Sequence, residues 1–138
     1  MPERAREHRI LQMRLVVQVD DYDEAVRFYR DTLGASEELQ VTGTEGEKVT
    51  ILDVGRATLE LSNRARIDMI DTVAVGRPAS PRLRVAFEVA DVEAATHRLV
   101  GGGAEIVAPP VRTPWNSRNA RLEAPAGLQL TLFQELED

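Results

Sequence analysis

The sequence predicts an α+β fold built from two tandem βαβββ modules. Its length, 138 residues, is typical of a single domain. Residues 13–25 (MRLVVQVDDYDEA) align with residues 83–95 (LRVAFEVADVEAA), so the chain contains an internal repeat. In both stretches apolar and polar residues alternate, as in a strand, and the spacing then becomes helical.

The first module, residues 13–62, begins with a predicted strand over 13–19 and continues with a helix. Asp21 is expected to cap this helix, with Glu24 three residues later in a capping-box arrangement. Gly34 is expected to end the helix, because glycine is favoured just beyond a helix C-terminus. Turn sequences then separate three further predicted strands, at 37–42, 48–54 and 57–62.

A connector over residues 63–82 is predicted to hold a short helix that includes Ile67, Met69 and Ile70, and it ends in GRPASP. These apolar side chains are expected to pack the join between the modules, with a lid over a ligand as the alternative.

The second module, residues 83–134, repeats the order of elements. Asp91 is expected to cap its helix, and a run of three glycines is expected to end it. The predicted strands lie near 83–89 and at 105–107, 118–123 and 128–133.

Composition argues against several classes of function. The chain has no Cys, which excludes thiolate metal sites and cysteine nucleophiles. With 17 Lys and Arg against 23 Asp and Glu, its formal charge of −6 argues against nucleic-acid binding. No apolar run is long enough to span a membrane or resembles an export signal, so a cytoplasmic protein is expected. Residues 1–12 are expected to form an N-terminal arm and residues 135–138 an acidic tail.

The duplicated βαβββ unit resembles the vicinal oxygen chelate superfamily, which includes glyoxalase I, extradiol dioxygenases and bleomycin-resistance proteins. The resemblance rests on VDDYDEAVRFYRDTLG (19–34), VADVEAATHRLVGGGAEI (89–106) and PWNSRNARLEAPAGLQLTLF (114–133). It implies a glyoxalase-like fold in which the two modules form one cup-shaped mixed sheet, with the helices outside and a ligand inside the cup. In metal-dependent members, the first and last strands of both modules supply the ligands of a divalent ion. Paired cups in this family often come from dimers, so a homodimer is expected.

The resemblance assigns the four metal positions to Arg14, Glu60, Arg84 and Thr131. Only Glu60 is a usual ligand type, since a guanidinium has no lone pair to offer and a divalent ion needs several N or O donors. His8 lies in the arm, and His97 lies opposite the apolar stripe of its helix, so both are expected at the surface. We therefore expect no metal, no cofactor and no catalytic residue.

Strand parity predicts a polar face inside the cup. Ala120 and Leu122 are expected to face the core, so their neighbours in the strand face the cup. The predicted ligand-binding residues are Arg14, Gln18, Glu60, Arg84, Glu88, Trp115, Asn119, Arg121 and Thr131.

The arginines of this face allow two interpretations. In one, Arg14 and Arg84 only pair with Glu60 and Glu88 and hold the modules together. In the other, a guanidinium remains available for an anionic ligand, and Trp115 either packs or stacks on a flat one.

We therefore predict a metal-free protein that binds or sequesters a flat or anionic small molecule, similar to the bleomycin-resistance members. The alternatives are a metal-dependent glyoxalase- or dioxygenase-like enzyme and an interaction subunit whose own side chains plug the cup.

Overall fold

The structure is a computed structural model that describes residues 14–58, 60 and 62–137. The predicted arm at 1–12, with His8, lies outside the described residues. In chain order the elements are helix α1 (Tyr22–Val26, continued as a π-helix over Arg27–Thr32), strands β1 (Ser36–Thr42) and β2 (Lys48–Asp53), helix α2 (Arg64–Ala74), strand β3 (Val85–Glu88), helix α3 (Val92–Gly101), and strands β4 (Glu105–Arg112), β5 (Ser117–Ala124) and β6 (Leu128–Glu135).

The second module forms a four-stranded mixed sheet in the order β3-β6-β5-β4. Its outer strand β3 runs parallel to β6, while β5 is antiparallel to both of its neighbours. Helix α3 carries the chain from β3 to β4 at the opposite edge of the sheet, and β5 and β6 then return towards β3, so that β6 lies parallel to it. This arrangement is the βαβββ unit that the sequence predicts.

The helices of both modules begin at the predicted aspartates. The Asp21 side chain accepts a hydrogen bond from the backbone N–H of Glu24 at 3.0 Å, and Asp91 accepts one from Ala94 at 3.1 Å. Each cap satisfies a backbone donor that has no partner within the first turn of a helix.

The glycines after α3 are needed because the two module helices meet there. A Cβ added at Gly102 would come within 2.4 Å of Thr32 Cγ2, at the end of the π-helix, and Gly103 has a φ of +117°. Arg98 Nε also donates to the carbonyl of Thr32 at 3.2 Å. The glycine run therefore allows a close approach as well as ending the helix.

The hydrophobic core lies between α3 and one face of the second-module sheet. Phe28, from the π-helix of the first module, packs into this core and is only 2% exposed. The other buried core residues are Val92, Ala95, Leu99, Ala104, Ala120, Leu122, Ala124, Leu130 and Leu132. The predicted inward orientation of Ala120 and Leu122 is thus confirmed.

The first module is less completely paired than the sequence predicts. Its strands β1 and β2 form a two-stranded antiparallel hairpin, and β1 is exposed at every position. The strands predicted at 13–19 and 57–62 are wrong for the described residues, because 14–19, 57–58, 60 and 62 form no strand. Alternation indicates which face a strand would bury, but a strand forms only where a partner strand is available for hydrogen bonding.

Helix α2 lies across the sheet face opposite α3. It begins at Asn63, whose side chain accepts from the backbone N–H of Arg66 at 3.0 Å, and it contacts β4 and β5. Asp71 of this helix accepts a hydrogen bond from Arg121. Both neighbours of Arg121 in β5 face the core, so Arg121 lies on the opposite face of the sheet. The connector therefore covers the face that the sequence assigns to the cup. Within the described ranges, no helix is long and apolar enough to cross a membrane.

Candidate functional site

The polar face of the second-module sheet brings together three of the predicted site residues. Arg121 and Thr131 are directly paired across β5 and β6. Arg84, the residue before β3, donates from Nη1 to Thr131 Oγ1. Arg121 and Thr131 are only 2% and 5% exposed, whereas Arg84 is partly exposed. Two guanidinium groups therefore lie on either side of β6.

Asp71 of α2 is the acidic member of this site. Its Oδ1 lies 3.3 Å from Arg121 Nη1 and accepts from Ser80 Oγ at 2.6 Å. Its Oδ2 accepts from the backbone N–H groups of Ala79 and Ser80, both at 3.0 Å. Burial alone would raise the pKa of Asp71, but these donors and Arg121 outweigh it and lower the pKa to about 2. Asp71 is therefore ionised at neutral pH.

Sequence reasoning missed Asp71 because it considered the strands alone. The signal that could have found it is its position on the connector helix, next to Ile70 and three residues before Ala74. Those two apolar residues are both 7% exposed, so Asp71 lies on the buried side of the helix. A carboxylate there has to be paired with donors or a cation.

A hydrogen-bond network extends from Arg121 through Gln129. Arg121 Nη1 donates to Ser80 Oγ at 3.1 Å and to Gln129 Oε1 at 2.9 Å. Gln129 Nε2 donates to the carbonyl of Ala79 at 3.0 Å and to Glu123 Oε1 at 2.9 Å. The connector is therefore attached to β5 and β6 by polar contacts that are largely withdrawn from water.

Glu60 and Glu88 do not form the ion pairs that the first interpretation of the arginines requires of them among the described residues. Both are exposed, and in the described part of the chain no ion pair joins either of them to an arginine. Glu60 is close enough to Arg84 to raise its pKa through charge. The ion pair of this face is instead Arg121–Asp71, and it needed a carboxylate from the connector.

Arg84 is the guanidinium of this face that has no carboxylate partner among the described residues. Its Nε is buried and has no hydrogen-bond partner there. Burial lowers the pKa of Arg84, the charge of Arg121 lowers it further, and Glu60 and Asp71 act in the opposite direction. An arginine keeps its proton in spite of such shifts. The three side chains Arg84, Arg121 and Asp71 together therefore carry a net charge of about +1 at neutral pH.

Three of the other predicted site residues occupy different environments. Arg14 and Gln18 are exposed in the segment before α1. Asn119 lies on β5 two residues before Arg121, and so on the same face, and its Oδ1 accepts from Ser117 Oγ at 2.7 Å. Of these three, only Asn119 is near the arginine cluster.

Trp115, in the turn between β4 and β5, is 37% exposed and contacts the connector. The Arg66 guanidinium of α2 lies 5.2 Å from the centre of its ring, within the range of a cation–π interaction. Met69 of α2 is 38% exposed, and His97 of α3 is exposed as predicted. The tryptophan ring thus packs partly on its own chain and keeps part of its surface open.

Two surface clefts lie away from the arginine cluster. One, of about 250 Å³, lies between α1 and β1 and includes Tyr22, Arg27 and Gln40. The other, of about 370 Å³, lies between residues 18–21 and the turn Pro125–Gly127. Neither cleft is lined by an arginine of the polar face, so neither extends the site.

The side chains at the four metal positions of the resemblance do not fit a divalent ion. Arg84 and Thr131 hydrogen-bond to each other, and a guanidinium repels a cation as well as lacking a lone pair. Arg14 and Glu60 are exposed in segments outside the sheet. In the described ranges, no group of three or more His, Asp or Glu side chains is placed to hold a metal. We therefore derive no chemical step through a metal.

Comparison with known proteins points to one superfamily. The sequence model of the Glyoxalase/Bleomycin resistance protein/Dioxygenase superfamily matches residues 11–132. A hypothetical protein from S. aureus is similar in structure, with a TM-score of 0.62 and 14% identity over 94% of this chain and 98% of that chain. A glyoxalase family protein from Bacillus cereus has a TM-score of 0.58 and 19% identity over 95% of this chain and 98% of that chain.

A glyoxalase-related enzyme from Fulvimarina pelagi has a TM-score of 0.55 and 16% identity over 91% of this chain and 88% of that chain. No curated protein matches significantly. At these identities the structural likeness supports the fold alone.

Proposed function

The chain belongs to the Glyoxalase/Bleomycin resistance protein/Dioxygenase superfamily, and on that premise we propose that it is a metal-free protein that binds a small anionic molecule. The proposed site is the polar face of the second-module sheet. Its residues are Arg84, Trp115, Asn119, Arg121 and Thr131, with Asp71 added from the connector. The proposal does not require the other predicted residues, Arg14, Gln18, Glu60 and Glu88.

The observation that carries the proposal is the Arg84 guanidinium, which has no carboxylate partner among the described residues. Its Nε is buried and has no hydrogen-bond partner in the described part of the chain, and its neighbour on this face is another arginine, Arg121. A guanidinium withdrawn from water is costly unless an anion and acceptor atoms compensate it. A ligand carboxylate would supply both, because it matches the forked donors of arginine. We further propose that a planar part of the ligand lies against the exposed part of Trp115.

Thermal unfolding in the presence of benzoate, a planar monoanion, tests this proposal. Because a ligand of the folded state stabilises it by mass action, we expect the melting temperature to rise with benzoate concentration. Arg84→Gln should abolish the rise, whereas Arg82→Gln, at an exposed arginine two residues earlier, should leave it unchanged. Equal responses of the two variants, or no response of the wild type to benzoate and other carboxylates, would count against the proposal.

An interaction subunit with a plugged cup is the second candidate. It is favoured by the contacts of Arg121, whose Nη1 already lies against Asp71, Ser80 and Gln129. A plugged face leaves no room for a ligand, so this candidate function predicts that benzoate does not change the melting temperature. The metal-dependent enzyme has less support, since the donor set described above does not suit an ion.

We also propose that the protein is a cytoplasmic homodimer. Leu39, Val41 and Val49 of the β1–β2 hairpin are 45–49% exposed, and an isolated two-stranded hairpin is marginally stable in water. A second copy that packs on this hairpin would cover those side chains. Analytical ultracentrifugation should then give the mass of two chains, and a monomer at high protein concentration would rule this out.

A further inference from the structure

The charge of the site depends on a residue outside the sheet. Both guanidinium groups come from the second module, Arg84 from the residue before β3 and Arg121 from β5. The carboxylate that pairs with them among the described residues is that of Asp71, on the connector helix. Among the described residues, both guanidinium groups would therefore lack an ion-pair partner without α2, and with α2 the charge of Arg121 is compensated by Asp71.

Asp71 is held firmly in this position. Two backbone N–H groups, the Ser80 hydroxyl and Arg121 all donate to its two oxygens, and the residue is 3% exposed. A carboxylate that accepts this many hydrogen bonds does not rotate to another conformation when a second anion approaches. It is a permanent negative charge next to one of the two arginines.

We propose that Asp71 is a specificity-determining residue that restricts the ligand to a single negative charge. This inference rests on the proposed function and makes it more specific. The first anionic group of a ligand is neutralised by Arg84, but a second group near Arg121 would meet a guanidinium that Asp71 already neutralises. In a partly buried site of low dielectric, the second group would gain no attraction and would be repelled by the Asp71 carboxylate.

The wild-type protein provides the first test, which does not depend on any variant folding correctly. Phthalate and monomethyl phthalate have nearly the same shape, but at about pH 7.5 the first carries two charges and the second carries one. We expect the monoester to bind at least about tenfold more tightly than phthalate by isothermal titration calorimetry. Equal affinities of the wild type for the two compounds would overturn the inference.

Substitution of Asp71 provides the second test. Asp71→Asn keeps the shape and one oxygen acceptor while removing the charge, so the ratio of phthalate to monoester affinity should rise by about tenfold. Asp68→Asn, at an exposed position of the same helix, should leave the ratio unchanged. The double variant D71N/R121Q removes one charge of each sign, so its ratio should return to that of the wild type.

The outcomes separate the two proposals. If the wild type binds the monoester and folded Asp71→Asn shows an unchanged ratio, the inference on specificity is wrong while the proposed function stands. If the wild type binds neither compound nor benzoate, the proposed function is wrong and the inference fails with it.

Discussion

The two modules share a sequence pattern but differ in how far they build a sheet. Over the residues that the structure describes, the second module has four paired strands and a core with fully buried leucines, whereas the first has one hairpin in which β1 is exposed throughout. The helix caps are the same in both, because a cap depends on residues three apart in sequence. A sheet depends on partners far apart in sequence, so a repeat in the sequence need not produce equal pairing.

The first-module helix nevertheless belongs to the second-module core. Phe28 is among the buried residues of that core, and Tyr29 donates from its hydroxyl to the carbonyl of Pro125 at 2.7 Å. Burial raises the pKa of Tyr29 well above its ordinary value, so this hydroxyl stays protonated. The boundary in packing therefore runs between α1 and the hairpin rather than between the two repeats.

Truncations in the two modules should produce the largest contrast in stability. Leu122→Ala removes a fully buried side chain from β5 and should lower the free energy of unfolding by about 3 kcal/mol. Val41→Ala, at a position 48% exposed in β1, should change it by less than about 0.5 kcal/mol. Urea unfolding followed by far-UV circular dichroism measures both. A similar loss for the two variants would show that the hairpin is buried in solution.

The features that the sequence predicts correctly depend on short-range interactions, and the features that it misses depend on long-range ones. Asp21, Asp91 and the inward side of β5 follow from short-range patterns, and the structure confirms them. The strand at 57–62 and the pairing of Arg121 with Asp71 depend on long-range contacts. Strand parity places Arg121 on the polar face, but it contains no information on which segment covers that face.

The attachment of the connector to the second module should weaken in acid. Because the pKa of Asp71 is lowered from 3.8 to about 2 in the folded protein, its stabilising effect is complete above about pH 4 and is lost as the pH falls through 2. The free energy of unfolding should fall by about 2 kcal/mol over this interval from Asp71 alone.

Urea unfolding of the wild type and of Asp71→Asn across this interval measures the contribution as a difference. The variant lacks the titrating group, so its free energy of unfolding should fall by about 2 kcal/mol less than that of the wild type as the pH is lowered. Asp68→Asn, at an exposed position on the same helix, should follow the wild type. Parallel curves for the wild type and Asp71→Asn would contradict the assignment.

The smallest expected change in stability concerns the contact between Arg66 of the connector helix and Trp115, which lies outside the Arg121 network. The guanidinium lies 5.2 Å from the ring centre at a partly exposed site, where a cation–π interaction contributes about 0.5–1 kcal/mol. Arg66→Ala should therefore lower the free energy of unfolding by about that amount. Trp115 is the only tryptophan of the chain, so its fluorescence reports on this contact without interference.

We expect the Arg66→Ala variant to show a shifted emission, because the ring loses its cover and gains water. Arg64→Ala provides the matched control, since Arg64 lies on the same helix and its side chain is 91% exposed. If both variants leave the emission unchanged, α2 is not held at this end. The connector would then be attached to the second module through the hydrogen-bond network of Arg121 and Gln129 with Asp71, Ala79 and Ser80. The first turn of α2 would be free to move away from the polar face without breaking that network.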